Sequence, residues 1–179
     1  MTILVTDACS LINFAASGDM DVLESGLVVR TARCTQAVDA ELRKWVRSFP
    51  GLQRLLDEKW LGEPIELNRR EDREGVGRLR TALGGTRNAP TLHLGEAESI
   101  HAMLTRAELA TAALLTDDRD ASRLAGHRNL MAWDTTRLLA EFHFSGDLEW
   151  DEAREILQRM ERADRAVRIP ASYHEFTQG

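Results

Sequence analysis

The chain has 179 residues, a formal net charge of −6, 43% hydrophobic residues and 29% charged ones. That length supports a real hydrophobic core without metal or disulfide staples, and no apolar run approaches the roughly 20 residues that cross a bilayer. The acidic balance argues against a protein that coats nucleic acid through charge alone, but it leaves room for an enzyme with one local basic patch.

Two cysteines, Cys9 and Cys34, make no disulfide framework. The N-terminus carries no basic segment followed by a long apolar stretch. A cytoplasmic location is therefore expected.

In chain order, "ILVT" (Ile3–Thr6) reads as a short buried strand, and Ser10–Ala16 follows as a helical turn or two. "GDMDVLE" starts a second helix, and the β-branched "LVVRTA" (Leu27–Ala32) reads as a second strand. Thr35 is a candidate cap for a helix to about Phe49, with Val38, Leu42, Trp45 and Val46 on one face and Pro50–Gly51 ending it. Leu52, Leu55 and Leu56 suggest a short helix, "PIELN" a strand, and Glu71–Leu83 a charged helix interrupted at Gly75 and Gly77. "GGTRNAPT" is a loop by composition.

A long helix is expected from near Gly95 to Glu108, burying Ile100, Met103 and Leu104. "TAALLT" (Thr111–Thr116) is a buried strand that runs into Asp117 and Asp118, and Asp120–Ala125 is helical. "NLMAW" (Asn129–Trp133) is another strand, after which Asp134 can cap a helix over Thr135–Phe142. From Asp151 onward, Ala153, Ile156, Leu157 and Met160 stand at helical spacing.

Strands alternating with helices imply an α/β fold, a three-layer α/β/α sandwich around a short, mainly parallel sheet of four or five strands. The organisation expected is a main domain over residues 1–145 and a C-terminal helical extension, 146–179, packed on the same domain.

The chemistry sits in acids at strand ends and helix starts. Asp7 follows the first strand, and Asp117 and Asp118 follow an equally apolar one. In a parallel sheet those ends lie on one edge, where open α/β sheets gather their ligands. Glu41 in "VDAELRKWV" and Glu96 and Glu98 in "LGEAESI" fall near helix starts, which approach the same edge. Carboxylates held together repel and raise each other's pKa. A hard divalent ion such as Mg²⁺ or Mn²⁺ reverses that cost and suits phosphodiester hydrolysis without a protein nucleophile.

"VTDACSLINFA", Glu41 after the second strand, "LGEAESIHAM" and "LLTDDRDASRLA" resemble, in order and spacing, the signature segments of PIN-domain proteins. The resemblance spans about Ile3 to Trp133. It implies an α/β/α fold with a parallel sheet and a Mg²⁺- or Mn²⁺-dependent endoribonuclease site acting on RNA.

Carried over residue by residue, the resemblance makes Asp7, Glu41, Glu96 and Asp118 the catalytic acids. Asp7, Glu96, Asp118 and Asp117 are the implied metal ligands, with Glu98 the neighbouring alternative to Glu96, and Asp117 to Asp118. Thr6 and Ser10 are candidates for orienting Asp7, with ordinary capping as the competing role. Many small members of the family are toxins of the VapC type paired with an antitoxin protein, and many form homodimers. The alternative function is a non-catalytic PIN-like module that binds RNA or protein.

Other motifs point away from chemistry. His93 and His101 near Glu96 lack HExxH spacing and are not read as a zinc site. Cys9 reads as a buried small residue, and "GVGRLR" lacks the strand and third glycine of a dinucleotide loop. Arg69–Arg87 holds six arginines against three acids, and reads as a solvated helix face before it reads as a track for RNA backbone.

Overall fold

The computed structural model describes residues 2–28 and 30–178. In chain order the elements are β1 (Ile3–Thr6), α1 (Ala8–Ser17), α2 (Met20–Val28), β2 (Thr31–Arg33), α3 (Gln36–Trp45), α4 (Gly51–Asp57) and α5 (Arg70–Ala82). They continue with α6 (Leu94–Thr105), a single 3-10 turn at Ala107–Leu109, β3 (Ala113–Leu115), α7 (Arg119–His127), β4 (Met131–Trp133), α8 (Thr135–Phe144), α9 (Trp150–Arg162) and α10 (Tyr173–Gln178).

The four strands pair in parallel in the order β2-β1-β3-β4. Alternation along each strand divides the core in two. Leu4, Ala113, Leu115 and Trp133 face one layer, packed with Leu11 and Phe14 of α1, Leu139 of α8 and Ile156 of α9. Val5 and Leu114 face the other, against Val76 of α5, Ile100 of α6 and Ala121 of α7. The result is the α/β sandwich with a parallel sheet that the sequence implies. Each fully buried leucine of β1 and β3 contributes about 2 kcal/mol through loss of apolar surface to water.

The residues from Leu148 onward share the first of these cores. Ala153, Ile156, Leu157, Met160 and Phe176 are buried in it, and Arg159 of α9 pairs with Asp19 at 2.6 Å. Among the described residues no helix is long and apolar enough to cross a membrane.

Several elements differ from the sequence reading. Leu27 and Val28 continue α2, and the second strand is the short Thr31–Arg33; Val29 lies outside the described residues. Burying Leu27 against the first core outweighs the β-preference of the segment. "PIELN" makes only an isolated bridge, Ile65 with Thr35. The α5 helix runs through Gly75 and Gly77 without a break. At Gly75 any Cβ would stand 2.3 Å from the His101 ring, so the glycine is what lets α5 approach α6. The expected single long helix to Glu108 ends at Thr105.

Candidate metal site at the carboxyl edge of the sheet

The two central strands, β1 and β3, run side by side with Thr6 opposite Leu115, and their outward connections lead to opposite edges. This is the switch point of the sheet, where the chain leaves a crevice beyond the strand ends. Asp7 and the Thr116–Asp118 segment leave β1 and β3 at that point. The Asp7 N–H donates to Leu115 O at 2.9 Å, which carries the pairing one residue past β1.

Asp7 is 3% exposed and forms the N-cap of α1, accepting from the Ala8 N–H at 2.7 Å. Its other oxygen accepts from the Thr116 hydroxyl at 3.0 Å and the Cys9 thiol at 2.9 Å. Burial and then the Glu96 charge push the Asp7 carboxyl up to about 7, against the pull of those three donors. The same surroundings, burial first and then Asp7, push the Cys9 thiol well above its ordinary range, so it stays a donor.

Glu96 lies in the first turn of α6. Gly95 brings that turn close: a methyl group there would stand 3.0 Å from Val38 Cγ2, 3.7 Å from Asp7 Oδ1 and 3.9 Å from Glu41 Oε2. Asp7 and Glu41 thus flank one point beside Glu96. Burial and the Glu96 charge raise the Glu41 pKa as well. Glu41 also lines a small cavity of about 230 Å³ between α3 and α6, with Lys44, Trp45 and Gly95.

Asp118 is the N-cap of α7, and its Oδ1 accepts from the Asp120 and Ala121 N–H groups, each at 2.8 Å. A nitrogen of His93, an oxygen of Glu96 and an oxygen of Asp118 lie within 4.8 Å of one another, a set that offers three donors to a metal ion. His93, passed over for want of HExxH spacing, is the member the sequence reading missed. Its signal is the i, i+3 offset from Glu96, since His93 stands at the N-cap of α6, three residues before Glu96 in the first turn. His101 is buried elsewhere, 3.0 Å from Asp72 of α5.

The neighbouring candidates have other partners. Asp117 turns toward α1 and α8. Its Oδ2 accepts from Ser10 Oγ at 2.9 Å, Asn13 Nδ2 at 2.8 Å and Thr135 Oγ1 at 2.6 Å, and its Oδ1 from the Thr135 N–H at 2.9 Å. Glu98 accepts from the Ala37 N–H at 3.0 Å and so caps α3. The residue expected to do this, Thr35, occupies the N-cap position, but its hydroxyl makes no hydrogen bond among the described residues. Thr6 donates to Arg33 O at 3.2 Å, and Ser10 serves Asp117; neither bonds to Asp7, which Thr116 and Cys9 orient instead.

A groove of about 850 Å³ opens beside Asp118, lined by Arg119, Ser122 and Arg123 on one side and residues 166–169 on the other. Arg168 in this wall is held by Asp134 at 2.7 Å. Among the described residues Arg123 pairs with the exposed Asp120, at 3.3 Å.

A family model described as a PIN domain matches residues 3–177. No curated protein and no solved structure matches the chain.

Proposed function

The chain belongs to the PIN-domain family, and from that membership we propose that it is a divalent-metal-dependent endoribonuclease, most simply the toxin of a toxin–antitoxin pair. The observation that carries the proposal is the convergence of Asp7, Glu41, Glu96 and Asp118, from four separate segments, on the β1–β3 edge.

The donor set fits a hard cation. Glu96 and Asp118 offer oxygens within 4.8 Å of each other, and Asp7 and Glu41 stand close enough to Glu96 for its charge, after burial, to raise both their pKa values, Asp7 to about 7, a repulsion that a bound cation relieves. Asp7, Glu96 and Asp118 would hold Mg²⁺ or Mn²⁺, and Glu41 would act from the α3 side. When bound, such an ion polarises a phosphoryl oxygen and lowers the pKa of a water.

The chain's own residues do the rest. Thr116, Cys9 and the Ala8 N–H fix both oxygens of Asp7. The α7 N-terminus fixes Asp118. Asp117 ties α1 and α8 to the end of β3, which makes it a positioning residue in this reading. Arg119 and Arg123 line the groove that leads from Asp118, where phosphates flanking the scissile one would run. The reading includes a cytoplasmic enzyme, a homodimer and an antitoxin partner.

The test is cleavage of a panel of RNAs by the purified chain in Mg²⁺ or Mn²⁺. Asp7→Asn is expected to abolish cleavage and keep the fold. Full activity in that variant would refute the assignment. Growth arrest on expression, relieved by the product of the adjacent reading frame, tests the toxin role.

A further inference from the structure

We propose that His93 is a nitrogen ligand of this site, so that the pocket holds a borderline transition ion such as Co²⁺ in preference to the hard ion Mg²⁺. The inference rests on the reading of the pocket as a metal site and specifies which ion it selects.

The geometry is a mixed donor set. One His93 ring nitrogen lies within 4.8 Å of both an oxygen of Glu96 and an oxygen of Asp118. Ligands about 2.1 Å from a single ion stand roughly 3 to 4 Å apart, so small side-chain rotations close the set. His93 and Glu96 come from the start of α6 and Asp118 from the start of α7, two helices on the same side of the sheet.

The ring has no competing structural task. Its one hydrogen bond among the described residues is a long contact, Nδ1 to Glu96 Oε1 at 3.4 Å, beyond the usual range for such a bond. The contrast is with His101, buried 3.0 Å from Asp72, and with His143, engaged at both nitrogens by Leu148 O at 2.8 Å and Tyr173 Oη at 3.0 Å.

The chemistry follows from ligand type. Carboxylate and water suit Mg²⁺, whereas imidazole favours the later divalent ions of the first row. Replacing one oxygen donor by an imidazole therefore widens the gap between Co²⁺ and Mg²⁺. His93 has a backbone φ of 57°, in the left-handed region. Glycine adopts that conformation freely, so His93→Gly removes the ring and preserves the turn.

The experiment is calorimetric titration of the full chain with Mg²⁺, Mn²⁺ and Co²⁺ in turn, for wild type, His93→Ala, His93→Gly and Glu96→Gln. Pulsed electron paramagnetic resonance of the Mn²⁺ form accompanies it. Both His93 variants are expected to lose tenfold or more in Co²⁺ affinity and to hold Mg²⁺ within about threefold of wild type. The wild-type Mn²⁺ spectrum is expected to show nitrogen coupling that both variants lack.

Equal losses for Co²⁺ and Mg²⁺, or no loss for either, would overturn the proposal, as would a wild-type spectrum without nitrogen coupling. Failure of the parent reading looks different. In that case wild type binds none of the three ions. Binding that Glu96→Gln abolishes and His93→Gly spares would leave the metal site standing and remove His93 from it.

Discussion

The Thr116 hydroxyl donates to Asp7 Oδ2 at 3.0 Å and accepts from the Asp118 N–H at 3.2 Å. One buried side chain at the end of β3 thus sets the acid that follows β1 and the backbone of the acid that starts α7. Thr116→Val keeps the shape and leaves Asp7 one donor short and the Asp118 N–H unpaired. The expected cost is about 1–3 kcal/mol in urea unfolding at pH 8, with Thr116→Ser recovering most of it. A valine variant as stable as wild type would show that the bridge contributes nothing.

Asp7 makes stability depend on pH in an unusual sense for a carboxylate. Its pKa is 3.8 in the unfolded chain and about 7 in the folded one, raised by burial and then by Glu96. Between those values the folded form keeps a proton that the unfolded chain has released. The stabilisation is therefore complete below about pH 4 and is lost as pH rises to about 7. With cations chelated, the Asp7 contribution favours wild type at pH 5 over pH 8. Asp7→Asn is expected to flatten that difference and to be the more stable protein at pH 8, by roughly 2 kcal/mol or more. Thermal melts of both proteins at the two pH values read this directly. A wild-type–mutant gap that does not change between pH 5 and 8 contradicts it.

The parts of the fold that were legible are those where apolar pattern and local chemistry agree. "ILVT" and "TAALLT" are short buried runs, each followed by an acid, and they carry the two central strands. Asp134 caps α8 through the Arg137 N–H at 2.6 Å, and the stripe Ala153, Ile156, Leu157, Met160 is buried, both as patterned.

What escaped was decided by tertiary contact. Glu98 caps α3 across 61 positions of sequence, a bond no local rule anticipates, and it leaves the nearer Thr35 unused. Leu27 packs into a helix because the core is there to receive it. In the site, convergence of the acids follows from topology. The division of labour between Asp117 and Asp118 does not, because it depends on Ser10, Asn13 and Thr135 arriving at the former.

That division gives opposite expectations for two adjacent acids. Asp117→Ala strands buried donors on α1 and α8, and is expected to cost about 3 kcal/mol or more. Asp118→Asn keeps an oxygen for the Asp120 and Ala121 N–H groups, so it is expected to stay within about 0.5 kcal/mol of wild type. Mn²⁺ at a hundred times its dissociation constant should stabilise wild type by about 2.7 kcal/mol. The expected result is that Asp118→Asn loses most of that gain while folding normally. Urea titrations with and without Mn²⁺ measure both quantities. A full Mn²⁺ response in Asp118→Asn would place the ligand elsewhere.

Arg119 and Arg123 stand four residues apart on α7, on the wall of the groove beside Asp118. Arg168 opposite them is held at 2.7 Å by the half-buried Asp134, whereas Arg123 makes only a longer, exposed contact to Asp120 at 3.3 Å among the described residues, so the two α7 arginines are the side chains placed to meet phosphates there. Each contact to a single strand contributes about 0.7 to the slope of log affinity against log salt. Replacing both by glutamine should lower the slope for a short RNA by about 1.4 and raise KM several-fold at about 0.15 M salt. Neither side chain reaches Glu96 or Asp118 through a hydrogen bond or ion pair among the described residues, so Mn²⁺ affinity should not change. Replacing Arg70 and Arg73 on α5 is the matched control. Arg70 is held by Glu74 at 2.8 Å and Arg73 by Asn68 O at 2.9 Å, and their loss should leave the slope as it was. An equal fall in slope from both pairs would mean that RNA follows net charge and not this groove.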